Sequence, residues 1–215
     1  MSDSNVNLCL MTSEHVDDVR QLLVNSYLVD EPLNRRLKFE LPDKFQDFLD
    51  YTTQQAIRDS CSFVAIDKVT NKTIGFILNE LKNRDDDSGG TGDEFESKKL
   101  GYIFKMISTL QEQLSHSLFD LFSVDRLLYT MVIVVDQQHR GQRLSEKLIE
   151  TSLNYAKSCL HIRAAYTETS SLYSKKAFLK QNYKIVNELL YEQYDKQRLS
   201  DMGIHDRCSL VAKSW

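Results

Sequence analysis

Proline is almost missing from this chain. Its 215 residues include two, Pro32 and Pro42, and these lie close together, which singles out the segment around Pro32. Long apolar runs are missing too. No stretch reaches the ~18 consecutive apolar residues that a membrane-spanning helix needs. A basic excess is lacking: 27 Lys and Arg face 31 Asp and Glu, for a net charge of −4. Nucleic acid is therefore not an expected partner. The first residues, MSDSNVNL, lack the basic-then-apolar layout of a signal peptide. The four cysteines, Cys9, Cys61, Cys159 and Cys208, are far apart and show no zinc-ligand spacing. They are expected to be free thiols in a reducing cytosol. The five histidines are scattered, and no metal site is expected. With an apolar fraction of 41%, the chain can build a sizeable core, and its length suits one domain over 1–215. The expected working state is a cytoplasmic monomer.

What is present is organised around residues 127–148, LLYTMVIVVDQQHRGQRLSEKL. The apolar run from Leu127 to Val135 predicts a buried strand. It breaks at Asp136, passes through a polar turn ending in Arg140-Gly141, and enters a helical pattern with Leu144, Leu148 and Ile149 on one face. A strand, a basic glycine turn and a helix N-terminus together form an anion cradle. Unpaired backbone N–H groups and the positive end of the helix dipole converge above the turn. The natural ligand is a phosphate or pyrophosphate.

Around this core the pattern predicts a strand over 6–11, then a helix entered at Thr12-Ser13 and ended near Leu28 ahead of Pro32. A second helix is expected over 43–59. Two strands, 62–67 and 72–81, are joined by a hairpin turn at 68–71. Residues 83–97, NRDDDSGGTGDEFES, read as a mobile acidic surface loop. A long helix is expected over 100–118. After the central stretch come a strand over 162–167, a polar link at 168–171, a helix over 172–181, a strand over 183–191, a polar loop over 195–206 and a strand over 207–212. The fold class is thus α/β (α+β): a mixed sheet of about seven strands with helices on both faces and a ligand site where the sheet parts.

The order, with VIVVDQQHRGQRLSEKLI, resembles the GCN5-related N-acetyltransferase superfamily. There an apolar strand precedes Arg/Gln-x-x-Gly-x-Gly/Ala at a helix start, which holds the pyrophosphate of acetyl-CoA. Asp30-Glu31-Pro32-Leu33-Asn34 is similar to the DEPLN segment of the invertebrate arylalkylamine (dopamine) N-acetyltransferases. Ser170-Ser171-Leu172-Tyr173-Ser174 is similar to their S-S-x-Y-S segment. The resemblance implies that acetyl-CoA is the co-substrate and that a small-molecule amine is acetylated by direct attack in a ternary complex. Ile133, Val134 and Val135, then Arg140, Gly141, Gln142, Arg143, Leu144 and Ser145, with Ser171, are the implied CoA contacts. Arg143 and Ser145 depart from the pattern, which has Gly at the first position and Gly or Ala at the second. Arg143 lacks the backbone freedom of glycine but adds a guanidinium that can pair with a phosphate.

The implied catalytic residues are Glu31, Ser170 and Ser174. Glu31 sits at a helix break beside Val29 and Leu33, a setting that can raise a carboxyl pKa and attract an ammonium. Ser174 stands one turn before Phe178, which occupies the place where the superfamily often has a proton-donating Tyr. A backbone N–H near Ile133 to Val135 is expected to stabilise the oxyanion if the strand bulges there. Ser170 and Ser171 are equally well placed to cap the following helix. Asp30 is expected to be structural, and His139 to line the phosphate turn. Tyr27, Pro32 and Leu33 are the expected amine contacts. The leading expectation is an arylalkylamine acceptor such as dopamine, serotonin or tryptamine. The alternatives are a polyamine or other small amine, or a non-catalytic acyl-CoA-binding module, which Arg143 and Phe178 would favour.

Overall fold

A computed structural model describes residues 5–38, 45–86 and 95–215. Seven strands form one mixed sheet. They are β1 (Val6–Leu10), β2 (Phe63–Asp67), β3 (Thr73–Asn83), β4 (Arg126–Val135), β5 (Ala164–Thr169), β6 (Lys184–Leu190) and β7 (Arg207–Ser214), in the spatial order β1-β2-β3-β4-β5-β7-β6. Every neighbouring pair is antiparallel except β4 and β5. That parallel pair is registered only at Leu128↔Ala165 and Tyr129↔Tyr166. One more link follows, from the Thr167 hydroxyl to the Thr130 carbonyl at 2.8 Å. Beyond it the two strands part, and this opening is the structural origin of the cleft described below.

A bulge marks the same level. Leu78 pairs with Val132 and Asn79 with Thr130, so Met131 is the extra residue of β4. The irregularity lies at Met131, ahead of the expected position at 133–135. Asn79, fully buried, ties it down. Its side chain donates to the Cys61 carbonyl (2.7 Å) and to Ser152 Oγ (2.8 Å), and accepts from the Thr130 hydroxyl (2.7 Å). A buried polar network of this kind fixes one register because any slip would orphan its members.

Helices cover both faces. On one lie α7 (Leu144–Ser158), burying Leu144, Leu148, Ile149 and Leu153 over β2, β3 and β4, and α8 (Leu172–Lys180), burying Phe178 beside β5 and β7. The other carries the N-terminal helices and α5 (Lys98–Glu112). They bury Val19, Leu23, Phe48, Leu100, Ile103 and Met106. Helix α4 (Gln46–Asp59) buries Phe48, Leu49, Thr52 and Ala56, the face expected from its period. Its expected start at Asp43 and residues 87–94 of the acidic loop lie outside the described residues.

Several boundaries differ from the pattern. Helix α5 stops at Glu112 and does not run to Leu118. Ser117 accepts a bond from the Asp120 N–H and starts a separate helix, α6 (Leu118–Phe122), whose Leu118 still reaches the core. Glu168 and Thr169 are strand residues, not a link. The expected loop over 195–206 contains α10 (Lys196–Leu199), preceded by α9 (Tyr191–Tyr194). The first helix runs on beyond Leu28 through α1 (Val16–Leu22), a π segment (Leu23–Tyr27) and α2 (Leu28–Asp30). Glu31 then turns extended, with ψ 134°, and α3 (Pro32–Arg36) begins with Pro32 in its first position.

Candidate active site

The parting of β4 and β5 opens a cleft of about 790 Å³. Such a volume suits a small-molecule site. Tyr129, which lines the cleft, stacks on the buried Tyr166, ring centroids 4.8 Å apart. One mouth is the turn between β4 and α7. The other lies under the α2–α3 break. The N-terminus of α8 forms the side wall.

At the turn, Gly141 has φ +81° and Arg143 has φ +59°. Both are left-handed, so position 143 is one where glycine relieves strain, and an arginine occupies it. Arg143 is the N-cap of α7 and makes no side-chain cap bond. The first N–H groups of that helix are thus left for an anion to satisfy. Arg140, Arg143, Leu144, Ser145 and Ser171 line the cleft with Ile133, Val134 and Val135; Gln142 is exposed and lies outside the lining. His139 lines the turn, its Nδ1 2.9 Å from Asp136 Oδ1. Chemically this end fits a pyrophosphate: uncapped backbone donors with two guanidinium groups beside them.

The same turn is tied to the opposite mouth. Arg140 Nη2 lies 2.7 Å from Asp30 Oδ2, and Arg140 Nε donates to the Val135 carbonyl at 3.2 Å. Asp30 therefore acts as a strut between the two mouths.

Glu31 is the N-cap of α3. Its Oε2 accepts from the Asn34 N–H at 2.8 Å. Its Oε1 is buried and has no hydrogen-bond partner among the described residues. Burial raises the carboxyl above the ordinary glutamate range, while the nearby Ser170 hydroxyl and the N–H groups of Asn34 and Leu33 pull it partly back. Although Ser170 is close enough to favour the charged form, it does not complete a bond to Oε1. The Asn34 side chain also donates to the Tyr27 carbonyl at 3.4 Å, pinning the break from behind. Tyr27 and Pro32 line the cleft. Leu33 does not. It is fully buried in the core with Ile103, Met106 and Tyr191, because the single turn of α3 directs it inward. The expected amine contact at Leu33 is thus a core contact.

On the side wall, Ser171 caps α8: its Oγ accepts from the Ser174 N–H at 3.1 Å. The Ser174 hydroxyl donates to the Ser171 carbonyl at 3.0 Å and lies 3.0 Å from Ser171 Oγ. Ser170 is held by its backbone, whose carbonyl accepts from the buried Tyr191 hydroxyl at 2.7 Å. All three serines line the cleft. Phe178, fully buried, packs edge-on against Tyr183 with centroids 5.0 Å apart and closes the wall with an apolar edge.

His205 and Glu168 are among the cleft residues that the sequence pattern does not single out. His205 stands beside α8, its Nδ1 accepting from the Leu172 N–H at 3.1 Å and its ring edge-on to Tyr173 at 5.3 Å. Burial and Arg35 lower its pKa, so it is neutral near pH 7. Glu168 faces the cleft from β5. Gln111 Nε2 donates to its Oε1 at 2.6 Å, whereas its Oε2 is buried without a partner. Burial pushes its pKa up to about 7, against the opposing pull of Gln111, Tyr129 and Lys82. A signal for Glu168 existed: alternation along a strand puts Tyr166, Glu168 and Ser170 on one face.

No protein-family model and no curated protein matches this sequence. Solved structures do share its fold. Arylalkylamine N-acetyltransferase 2 of Aedes aegypti superposes with a TM-score of 0.86 at 22% identity, over 98% of this chain and 99% of that one. A polyamine N-acetyltransferase of Drosophila melanogaster, which catalyses the formation of N-acetylagmatine, gives 0.80 at 17% identity over 98% and 100%. Arabidopsis thaliana NAA60 in complex with acetyl-CoA gives 0.58 at 14% identity over 98% and 99%.

Proposed function

We propose that this chain, which has the GCN5-related N-acetyltransferase fold, transfers the acetyl group of acetyl-CoA to the primary amine of a small organic amine. The observation that carries this reading is the pairing of two mouths on one cleft. An uncapped helix start with Arg140 and Arg143 suits a pyrophosphate at one mouth, and a buried carboxylate, Glu31, suits an ammonium at the other. Acetyl-CoA binding by a neighbour of the same fold supports the choice of co-substrate. The aromatic side of the cleft, with Tyr27, Phe104, Tyr129 and Tyr173, supports the arylalkylamines expected from the DEPLN and S-S-x-Y-S segments, dopamine, serotonin and tryptamine among them. A second reading, a polyamine acceptor, is favoured by the second cleft carboxylate, Glu168.

Glu31 takes a proton from the incoming ammonium, for which a raised pKa suits it, and Ser170 stands beside it to hold the amine or a relaying water. The freed nitrogen lone pair attacks the thioester carbon. Backbone N–H groups of β4 beyond the Met131 bulge, where β5 no longer pairs, are free to meet the oxyanion; one such donor is worth ~3 kcal/mol of barrier. Collapse of the tetrahedral intermediate breaks the carbon–sulfur bond. Ser174, rotated off the Ser171 carbonyl, offers its proton to the departing thiolate, whose modest basicity demands little help, and takes one in return from the positively charged nitrogen, so that a neutral amide and a free thiol remain. Holding two substrates in one cleft supplies much of the rate, since alignment alone can be worth about 7–11 kcal/mol. The working protein is proposed to be a monomeric, cytoplasmic, single-domain enzyme acting without a metal.

The test is thiol release from acetyl-CoA with a panel of tryptamine, dopamine and spermidine. Release matched by N-acetyl product is expected. Binding of acetyl-CoA without release for any amine would leave a non-catalytic acyl-CoA-binding module.

A further inference from the structure

Three carboxylates line the cleft: Asp30 is paired with Arg140, the acetyl-transfer chemistry uses Glu31, and Glu168 is left over. Glu31 enters from the α2–α3 break and Glu168 from β5, and each has one buried oxygen that no described residue satisfies, Oε1 of Glu31 and Oε2 of Glu168. Both act on the same buried thiol, Cys208, raising its pKa, so they are electrostatic neighbours across one space. Tyr27, Ile107, Tyr129 and Met131 line the same cleft and give it apolar and aromatic surface.

Lys82 is the nearest basic group that acts on Glu168, but its Nζ is 3.0 Å from Glu80 Oε1 and 5.6 Å from the centre of the Tyr129 ring. Among the described residues no basic side chain is ion-paired to Glu168. Gln111 satisfies only Oε1, and Tyr129 completes no bond to Oε2. A carboxylate placed this way is costly for the apo protein, because a buried charge needs a partner. A neutral donor would fill the hydrogen bond and leave the charge. An ammonium or guanidinium fills both.

We infer that the second of the two acceptor readings holds and that the acceptor carries two cationic centres joined by an apolar spacer: the amine to be acetylated sits at Glu31, and the second ammonium or guanidinium is held by Glu168 Oε2. Glu168 is thus a specificity-determining residue, not a catalytic one. This assignment rests on the acetyl-transfer reading for the role of Glu31, but the dication site stands apart from the chemistry.

The experiment compares 1,5-diaminopentane with pentylamine, and agmatine with tryptamine, on the wild-type chain and on Glu168→Gln. Two readouts are taken: kcat/KM for thiol release, and calorimetric binding of each amine in the presence of CoA. Wild type is expected to favour the dication of each pair. In Glu168→Gln the dication-to-monocation ratio should fall about 10- to 100-fold, carried by KM rather than kcat, the factor that a hydrogen bond to a charged group is worth. A preference for the monocations, or a ratio left unchanged by Glu168→Gln, overturns the inference. Absence of thiol release with every amine overturns the acetyl-transfer reading alone. The binding ratio then still decides the dication site.

Discussion

Replacing Glu168 with glutamine should stabilise the free protein at pH 8 relative to pH 5. Burial lifts this carboxyl from 4.5 to about 7. A group whose folded pKa lies above its unfolded value adds stability that is fully present below pH 4.5 and is lost as pH rises through about 7. At pH 8 the ionised side chain is buried with one oxygen unsatisfied, at a cost of about 3 kcal/mol relative to the unfolded chain; at pH 5 the cost is below about 1 kcal/mol. Glutamine keeps the shape and does not titrate. The stability of Glu168→Gln relative to wild type should therefore improve by about 2 kcal/mol between pH 5 and pH 8. For a chain of this length that is a relative Tm gain of about 4–8 °C. Urea unfolding at both pH values measures it, with equal m-values as the check that the unfolded states match. Taking the difference between variant and wild type cancels every other titrating group. A stability difference that does not change with pH would refute the burial argument.

Three further outcomes follow from the same geometry. Glu31→Gln should lower kcat/KM by ~10²-fold or more and remove the acid limb of the pH profile, which in wild type should lie above the ordinary carboxylate range; an unchanged limb would place the base elsewhere. Arg143→Gly should raise stability by about 0.5–1 kcal/mol by relieving the left-handed backbone at φ +59°, while raising the KM for acetyl-CoA; a loss of stability would contradict the strain assignment. In Gly75→Ala a new Cβ would stand 3.0 Å from the Val134 carbonyl and 3.5 Å from the Val135 Cα. It should cost about 1–3 kcal/mol and weaken CoA binding through β4, read by unfolding and by calorimetry. Unchanged CoA affinity would uncouple β3 from the cofactor strand.

How far the sequence reaches can be judged from particular residues. The strand–turn–helix of β4 and α7 was legible because its apolar run and its i, i+4 spacing are local signals. So was the break at Glu31, since Pro32 restricts the residue before it. Glu168 was passed over, despite its alternation with Tyr166, because a strand's end is read from its apolar residues, and β5 runs three polar residues past Tyr166 into a space that only the parting of β4 creates. His205 lay in a polar stretch whose position depends on how the chain between β6 and β7 folds back over α8. Leu33 pointed the other way from expectation because a five-residue helix has too few turns for a period to orient it. The early end of α5 was carried by one cap, Ser117, inside a longer apolar stripe. Local chemistry thus located both mouths of the cleft, while its contents depended on tertiary contacts.

The central claim is that one cleft joins an acetyl donor to a primary amine. The most direct measurement is a single-turnover experiment with saturating acetyl-CoA and an amine, following free thiol and N-acetylated amine together. The account predicts that both appear at the same rate and in equal amounts, and that both slow by ~10²-fold in Glu31→Gln. Thiol released without N-acetyl product, or no thiol at all from a protein that binds acetyl-CoA, would contradict it.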